Sequence, residues 1–279
     1  MDDLRRIVEL ALDEDIGLGD VTSQATVPRE RQARGIFLAK SDGVVSGLRV
    51  AEAVFQQVDP TIDFTPSVRD GERISRGETL ASVAGPARSL LAAERVALNF
   101  LQRLSGVATA TARYVAAVEG TGARVIDTRK TTPGMRALEK AAVRHGGGHN
   151  HRFGLSDGIL IKDNHLAAIG GPDRIAKAIA AARQNAPHTL RVEVEVTTLE
   201  ELQQALAAGA DIILLDNMSP QEMAEAVRRT AGRALLEASG GIRLESLRAV
   251  AETGVDLISS GALTHSSPAL DISLEIELV

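Results

Sequence analysis

Apolar residues recur along the chain with two periods, and the switch between them divides it. From Asp3 to Leu12, Leu4, Ile7, Val8 and Ala11 fall at helical spacing, and an acidic, glycine-punctuated loop is expected over 13–20. Segments 34–40, 43–48, 62–68 and 79–83 are short and strand-like, separated by Gly, Asp and Pro, which predicts a small antiparallel sheet. A long helix follows over 89–104, with a break expected at Ser105-Gly106 and a second helix over 107–119. After that the chain alternates. Strand-like runs lie at 123–127, 158–162, 190–196, 211–215, 234–238 and 256–260. Helix-like stretches lie at 134–143, 172–184, 198–208, 219–230 and 244–253.

Strands alternating with helices imply parallel strands in βαβ units. Six such units without a dinucleotide-type glycine fingerprint favour an α/β barrel. A complete eight-stranded barrel takes about 250 residues, more than remain after residue 106, so a shortened, open barrel is expected. The tail 270–278 alternates with period two and reads as an edge or returning strand. The expected domains are therefore an N-terminal α/β sandwich over 1–106, joined by 266–279, and a barrel over 107–265.

Composition narrows the partners. A formal charge of −6 and 2% aromatic content argue against nucleic acid or an anionic membrane as the main partner. With no Cys there is no disulfide, thiolate nucleophile or Cys-based zinc site. No apolar run reaches the ~20 residues of a membrane span, and a cytoplasmic protein is the default expectation.

In parallel barrels the C-terminal strand ends build the active site. Here those ends carry Asp127, Arg129 and Lys130; Lys162, Asp163, Asn164 and His165; Glu193 and Glu195; Asp216 and Asn217; Glu237 and Ser239-Gly240-Gly241; and Ser259, Ser260, Gly261 and Ala262. Arg129, Lys130, Lys162 and the nearby His151-Arg152 form a basic group suited to carboxylates. Glu195 and Asp216 form an acidic group. Ser239-Gly240-Gly241 and Gly261-Ala262 offer backbone N–H groups to a phosphate. The plainer alternative for Lys162 is a salt bridge to an interior Glu across the barrel. His145, His149 and His151, in and beside a glycine-rich loop, could be metal ligands, although the loop is better suited to carrying His151 and Arg152 to an anion. Arg95 falls in line with Leu91 and Leu98 on the apolar stripe of its helix. There it either pairs locally with Glu94 or reaches a ligand across a subunit interface.

These motifs resemble those of the quinolinate phosphoribosyltransferases, the decarboxylating nicotinate-nucleotide pyrophosphorylases of NAD biosynthesis. The resemblance runs nearly end to end. It includes Glu14-Asp15-Ile16-Gly17, Ala93-Glu94-Arg95, Asp127-Thr-Arg-Lys-Thr-Thr-Pro-Gly134, Gly147-Gly-His-Asn-His-Arg152, Ile161-Lys-Asp-Asn-His165, Glu193-Val-Glu195, Leu215-Asp-Asn217, Ala238-Ser-Gly-Gly241 and Ser260-Gly-Ala-Leu-Thr-His265. It implies an N-terminal α/β sandwich beside an incomplete barrel, and a homodimer or larger assembly. It also implies a carboxylate pocket of Arg129, Lys130, His151, Arg152 and Lys162, with Arg95 supplied by the partner subunit. Glu195 and Asp216 would lie near the ribose hydroxyls of phosphoribosyl pyrophosphate and its Mg²⁺, the metal being held mainly through substrate. Ser239, Gly240, Gly261 and Ala262 would take the 5′-phosphate, and Lys130 would assist loss of CO₂. Two enzyme alternatives are a molybdenum-transport-associated paralogue with another substrate and a Schiff-base phosphosugar aldolase using Lys130 or Lys162. The 68–80 segment resembles a lipoyl-type hairpin but has no lysine at its turn.

Overall fold

A computed structural model describes residues 2–278. Two compact units emerge from its contacts: residues 1–112, 132–147 and 266–279 form one, and 113–131 with 148–265 form the other.

The chain begins with α1 (Asp2–Ile16) and α2 (Val21–Thr26). α1 runs on through Asp13–Ile16, where a loop was expected, because those acidic side chains project into solvent. Gly17, at φ 51, then ends it in the left-handed conformation glycine tolerates. Asp20 caps α2, accepting from the Thr22 and Ser23 N–H groups at 3.1 and 3.0 Å.

Next come β1 (Gln32–Ala39), β2 (Gly43–Val44), α3 (Leu48–Val58), β3 (Asp63–Pro66), β4 (Arg73–Ile74) and β5 (Thr79–Pro86). α3 replaces the end of the strand expected over 43–48. Its apolar residues Leu48, Ala51, Val54 and Phe55 are buried at helical spacing. Its start carries no local capping residue. Asp70, distant in sequence, accepts from the Gly47 and Leu48 N–H groups at 2.8 and 3.0 Å instead. Phe37, Phe55 and Phe64 then meet with ring centroids 6.0 Å apart in each pair, and form the aromatic centre of this unit.

α4 (Ala87–Ala117) is one helix of 31 residues, not two. The Ser105-Gly106 pair is a packing device. Ser105 Oγ accepts from the Ser46 N–H at 3.0 Å. A Cβ on Gly106 would overlap the carbonyl of Pro268. Ala outranks Gly in a helix by about 1 kcal/mol, but overpacking against backbone costs about 1–3 kcal/mol. Gly106→Ala is therefore expected to lower stability, which urea denaturation at neutral pH would register; a gain would refute the close-approach role.

The rest of the chain runs β6 (Arg124–Ile126), α5 (Arg136–His145), β7 (Ile159–Ile161), α6 (Asp163–Ile169), α7 (Arg174–Asn185), β8 (Val192–Val196), α8 (Leu199–Ala207), β9 (Ile212–Asp216), α9 (Pro220–Thr230), β10 (Leu235–Ser239), α10 (Leu244–Ala251), β11 (Leu257–Ser259), α11 (Ala262–His265) and β12 (Ile272–Leu278). Two sheets dominate. The first unit holds an antiparallel sheet ordered β12-β1-β5-β3, with the C-terminal strand at its edge. The second holds a parallel sheet ordered β6-β11-β10-β9-β8-β7. This is barrel order with an opening between β6 and β7. Part of that opening is filled by the chain at His149, which exchanges hydrogen bonds with Val125 and Asp127 at 2.9 and 3.1 Å. No helix among the described residues is long and apolar enough to cross a membrane.

Candidate active site

Alternation along β8 places Glu193 and Glu195 on one face, two residues apart in depth. At the upper level Lys162, just past β7, meets Glu195 at 2.6 Å. On the next strand Asp216 accepts from the Asn217 side-chain amide at 2.8 Å. Asn217 sits at φ 56, and its N–H donates to the Ser239 carbonyl at 3.1 Å. The turn after β10 must therefore be narrow. A Cβ on Gly240 would lie 2.7 Å from the Asn217 nitrogen, so only glycine fits there. The turn after β11 is equally close: a Cβ on Gly261 would come within 2.9 Å of Lys130 Cδ. Lys130 is held at its backbone, its N–H donating to Thr128 Oγ1 at 3.0 Å and its carbonyl accepting from Thr264 Oγ1 at 2.8 Å.

The lower level is largely buried. Asp127 is completely buried. Its carboxylate accepts from the His151 N–H at 2.8 Å and from the Asn150 side-chain amide at 2.6 Å. Sequence left this residue without a role beyond orienting its cationic neighbours. In the structure it pins the segment that fills the barrel's opening. His151 Nε2 lies 3.3 Å from Glu193 and 3.6 Å from Glu237, both carboxylates being buried. Burial and the charge of Glu193 push the Glu237 carboxyl up to about 8. Burial by itself would depress His151, but the hydrogen bond to Glu193 and the charges of both carboxylates outweigh it and raise the ring above its usual value.

The expected site residues fall as follows. Arg129, Lys130, His151, Arg152 and Lys162 all belong to the second unit. Arg152 is held below its usual value by burial and by the charge of Arg129. Arg152 Nη1 also donates to the Gly158 carbonyl at 2.9 Å. The His151 ring faces the buried carboxylates. Lys162 forms the salt bridge to an interior Glu that was the plainer reading of it, and so ties the basic group to the acidic one. Ser239, Gly240, Gly261 and Ala262 are half-buried at the strand tops. Arg95, expected on an apolar stripe, is exposed beside the part-exposed Leu91. The three histidines do not converge, since His145 is bound to Ser46 Oγ at 2.8 Å in the first unit. Among the described residues the one cluster with metal-ligand character is His151, Glu193 and Glu237. Sequence named all three residues but not their meeting, because they come from three separate segments.

An open α/β barrel whose strand tops gather cations, an acidic pair and two glycine turns belongs to the class of barrel enzymes that handle anionic substrates. Residues 20–105 match the family described as "Quinolinate phosphoribosyl transferase, N-terminal domain", and residues 107–275 match its C-terminal domain. The chain is 46% identical over 275 residues to a "Probable nicotinate-nucleotide pyrophosphorylase [carboxylating]" of Bacillus subtilis, covering 99% of this chain and 94% of that one. It is 43% identical to a "Quinolinate phosphoribosyltransferase [decarboxylating] 2, mitochondrial" of Nicotiana glauca, covering 99% and 82%. The solved nicotinate-nucleotide pyrophosphorylase of Francisella tularensis superposes with a TM-score of 0.93 at 40% identity, covering 99% and 96%. The chain belongs to the quinolinate phosphoribosyltransferase family.

Proposed function

We propose that this protein transfers the phosphoribosyl group of phosphoribosyl pyrophosphate to the ring nitrogen of quinolinate and releases CO₂, giving nicotinate mononucleotide and pyrophosphate. Family membership supports the reaction. The observation that carries the site is that the strand tops of one barrel carry Arg129, Lys130 and Arg152, the Glu195–Lys162 pair, Asp216 and two tight glycine turns, of which Gly240 admits no side chain.

Arg129, Lys130, Arg152 and Lys162 would bind the two carboxylates of quinolinate, with His151 seated behind them. Ser239, Gly240, Gly261 and Ala262 would hold the 5′-phosphate through backbone N–H groups. Departure of pyrophosphate breaks the C1–O bond and builds positive charge on the ribose, which Glu195 and Asp216 stabilise while the quinolinate nitrogen bonds to C1. The 2-carboxylate then leaves as CO₂, its bonding electrons stay on ring C2, and a proton completes that carbon. Lys130 would stabilise the charge at C2. The donor set suits Mg²⁺, since Glu195 and Asp216 offer hard oxygens from adjacent strands and Mg²⁺ binds through few carboxylates plus substrate phosphates. When bound, Mg²⁺ neutralises charge on the leaving pyrophosphate. An aldolase reading fits less well, because the 2.6 Å contact with Glu195 keeps Lys162 engaged as a paired cation.

The deciding assay supplies quinolinate, phosphoribosyl pyrophosphate and Mg²⁺ to the purified protein. Release of CO₂ with nicotinate mononucleotide is expected, and its absence refutes the reading. We also propose a homodimer in which Arg95 enters the neighbouring active site. Arg95→Ala should then abolish activity without unfolding the chain, and mixing it with inactive Lys130→Ala should restore part of it. No recovery after verified subunit exchange would remove Arg95 from a shared site.

A further inference from the structure

A cavity of about 300 Å³ opens inside the second unit, lined in part by Arg124, His149, His151, Arg152, Glu193 and Glu237. Two carboxyl groups meet one imidazole in its wall, and each carboxyl leaves an oxygen buried with no hydrogen-bond partner. Such a cluster can hold a metal ion or a proton, and the ring distinguishes them. The N–H of Arg152 donates to His151 Nδ1 at 2.7 Å. Nδ1 therefore carries no proton, and the neutral ring has its hydrogen on Nε2, aimed at Glu193 and Glu237. A metal-ligating histidine needs the reverse arrangement, with a lone pair on the ligating nitrogen and a proton on the other. The carboxylates raise the ring's affinity for a second proton, and on Nδ1 that proton would have to displace the Arg152 N–H. One Nε2 hydrogen cannot satisfy two carboxylates, and two buried carboxylates in contact do not both ionise.

We propose that Glu237 is a positioning residue: with Glu193 it holds the His151 ring inside the barrel, and the ring fixes the Arg152 backbone that carries a guanidinium to Arg129. The chain of contacts is continuous. Glu237 faces Glu193; Glu193 accepts from His151 Nε2; Nδ1 accepts from the Arg152 N–H; and the Arg152 side chain is braced by the Gly158 carbonyl, where it feels the charge of Arg129. Facing Glu237 are Glu193 on β8, His151 on the segment filling the opening, and the Ser259 hydroxyl on β11, with Arg152 lining the same cavity. Arg124 on β6 and His149 line the same cavity. Glu237 keeps its proton up to about pH 8, so at neutral pH the clamp is assembled. Above that, a second buried negative charge beside Glu193 loosens the hold on the His151 ring and so on the Arg152 backbone. This inference rests on the quinolinate reading for its kinetic readout only.

The test compares the wild type with Glu237→Gln and Glu237→Ala between pH 6 and 9. Glutamine keeps a donor and an acceptor without ionising. At pH 7 it should leave the KM for quinolinate near the wild-type value, while alanine raises it about tenfold with kcat much less affected. Between pH 8 and 9 the wild-type KM should climb and that of Glu237→Gln should not. A carboxyl raised in the folded state adds stability that is complete below the unfolded value of 4.5 and is lost as pH rises through about 8. The wild-type melting temperature should therefore fall more than that of Glu237→Gln between pH 6 and 9. Identical pH profiles for the two proteins overturn the proposal. So does Glu237→Gln behaving like Glu237→Ala at pH 7, or a stoichiometric transition metal in the purified wild type that Glu237→Gln lacks. If the wild type does not turn over quinolinate, the function reading fails, and the melting comparison still decides the role of Glu237.

Discussion

Lys130→Met is expected to lower kcat for CO₂ release by about 10²–10³-fold, the usual effect of removing one preorganised charge stabiliser. The fold should not suffer. Lys130 is exposed, and its backbone partners Thr128 and Thr264 are untouched by the change. KM for quinolinate should rise less than kcat falls if, as proposed, Arg129 and Arg152 also bind the carboxylates. A kcat within a few-fold of the wild type would remove Lys130 from the chemistry. Gly261→Ala supplies an independent check. Its new Cβ would press on Lys130 Cδ, so kcat should drop with Lys130 still present, and a shift confined to phosphoribosyl pyrophosphate affinity would count against the contact.

The second large effect is on stability. Glu139 is fully buried in the first unit. Arg103 Nη2 and Nε donate to it at 2.8 and 3.2 Å, and the Thr132 N–H and hydroxyl donate at 3.0 and 2.8 Å. Arg103 Nη1 also donates to the Ser267 carbonyl at 2.9 Å, so the network joins residues distant in sequence. Glu139→Ala removes the buried acceptor shared by the half-buried Arg103 guanidinium and the Thr132 N–H and hydroxyl. Breaking one side of a fully buried pair costs about 3–5 kcal/mol; with Arg103 26% exposed, a loss of about 2–3 kcal/mol is expected, still a large share of the ~5–15 kcal/mol that holds a domain together. Urea denaturation should show a matching drop in midpoint at unchanged slope. Glu139→Gln, which keeps an acceptor, should lose less. A drop below about 1 kcal/mol for the alanine variant would show that the network relaxes.

Neither Glu139 nor its partners were legible from sequence. A buried Glu on an amphipathic helix has the same spacing as an exposed one, and its four donors come from two other segments. Helix α3 escaped for a similar reason. Its apolar spacing was present, but its cap is Asp70, beyond the reach of a local signal. The Ser105-Gly106 pair was misread in the opposite direction. A glycine in a helical pattern suggests a break, whereas here it makes room for the Pro268 carbonyl.

What the sequence by itself determined is whatever depends on neighbours in the chain. The six parallel strands, five of the helices between them and the loops carrying Arg129, Lys130, Lys162, Asp216 and the glycine turns follow from hydrophobic period and turn chemistry, which act over a few residues. The loop after β6 therefore shows its cations Arg129 and Lys130 in the sequence itself. Only the tertiary structure decided that the barrel opens between β6 and β7, that Asp127 and the Glu193–Glu237 pair anchor the segment filling that opening, and that Arg95 is exposed. Those outcomes depend on which surfaces come together once distant strands pair. A buried charge finds its partner wherever the fold supplies one, and no period along the chain records that choice.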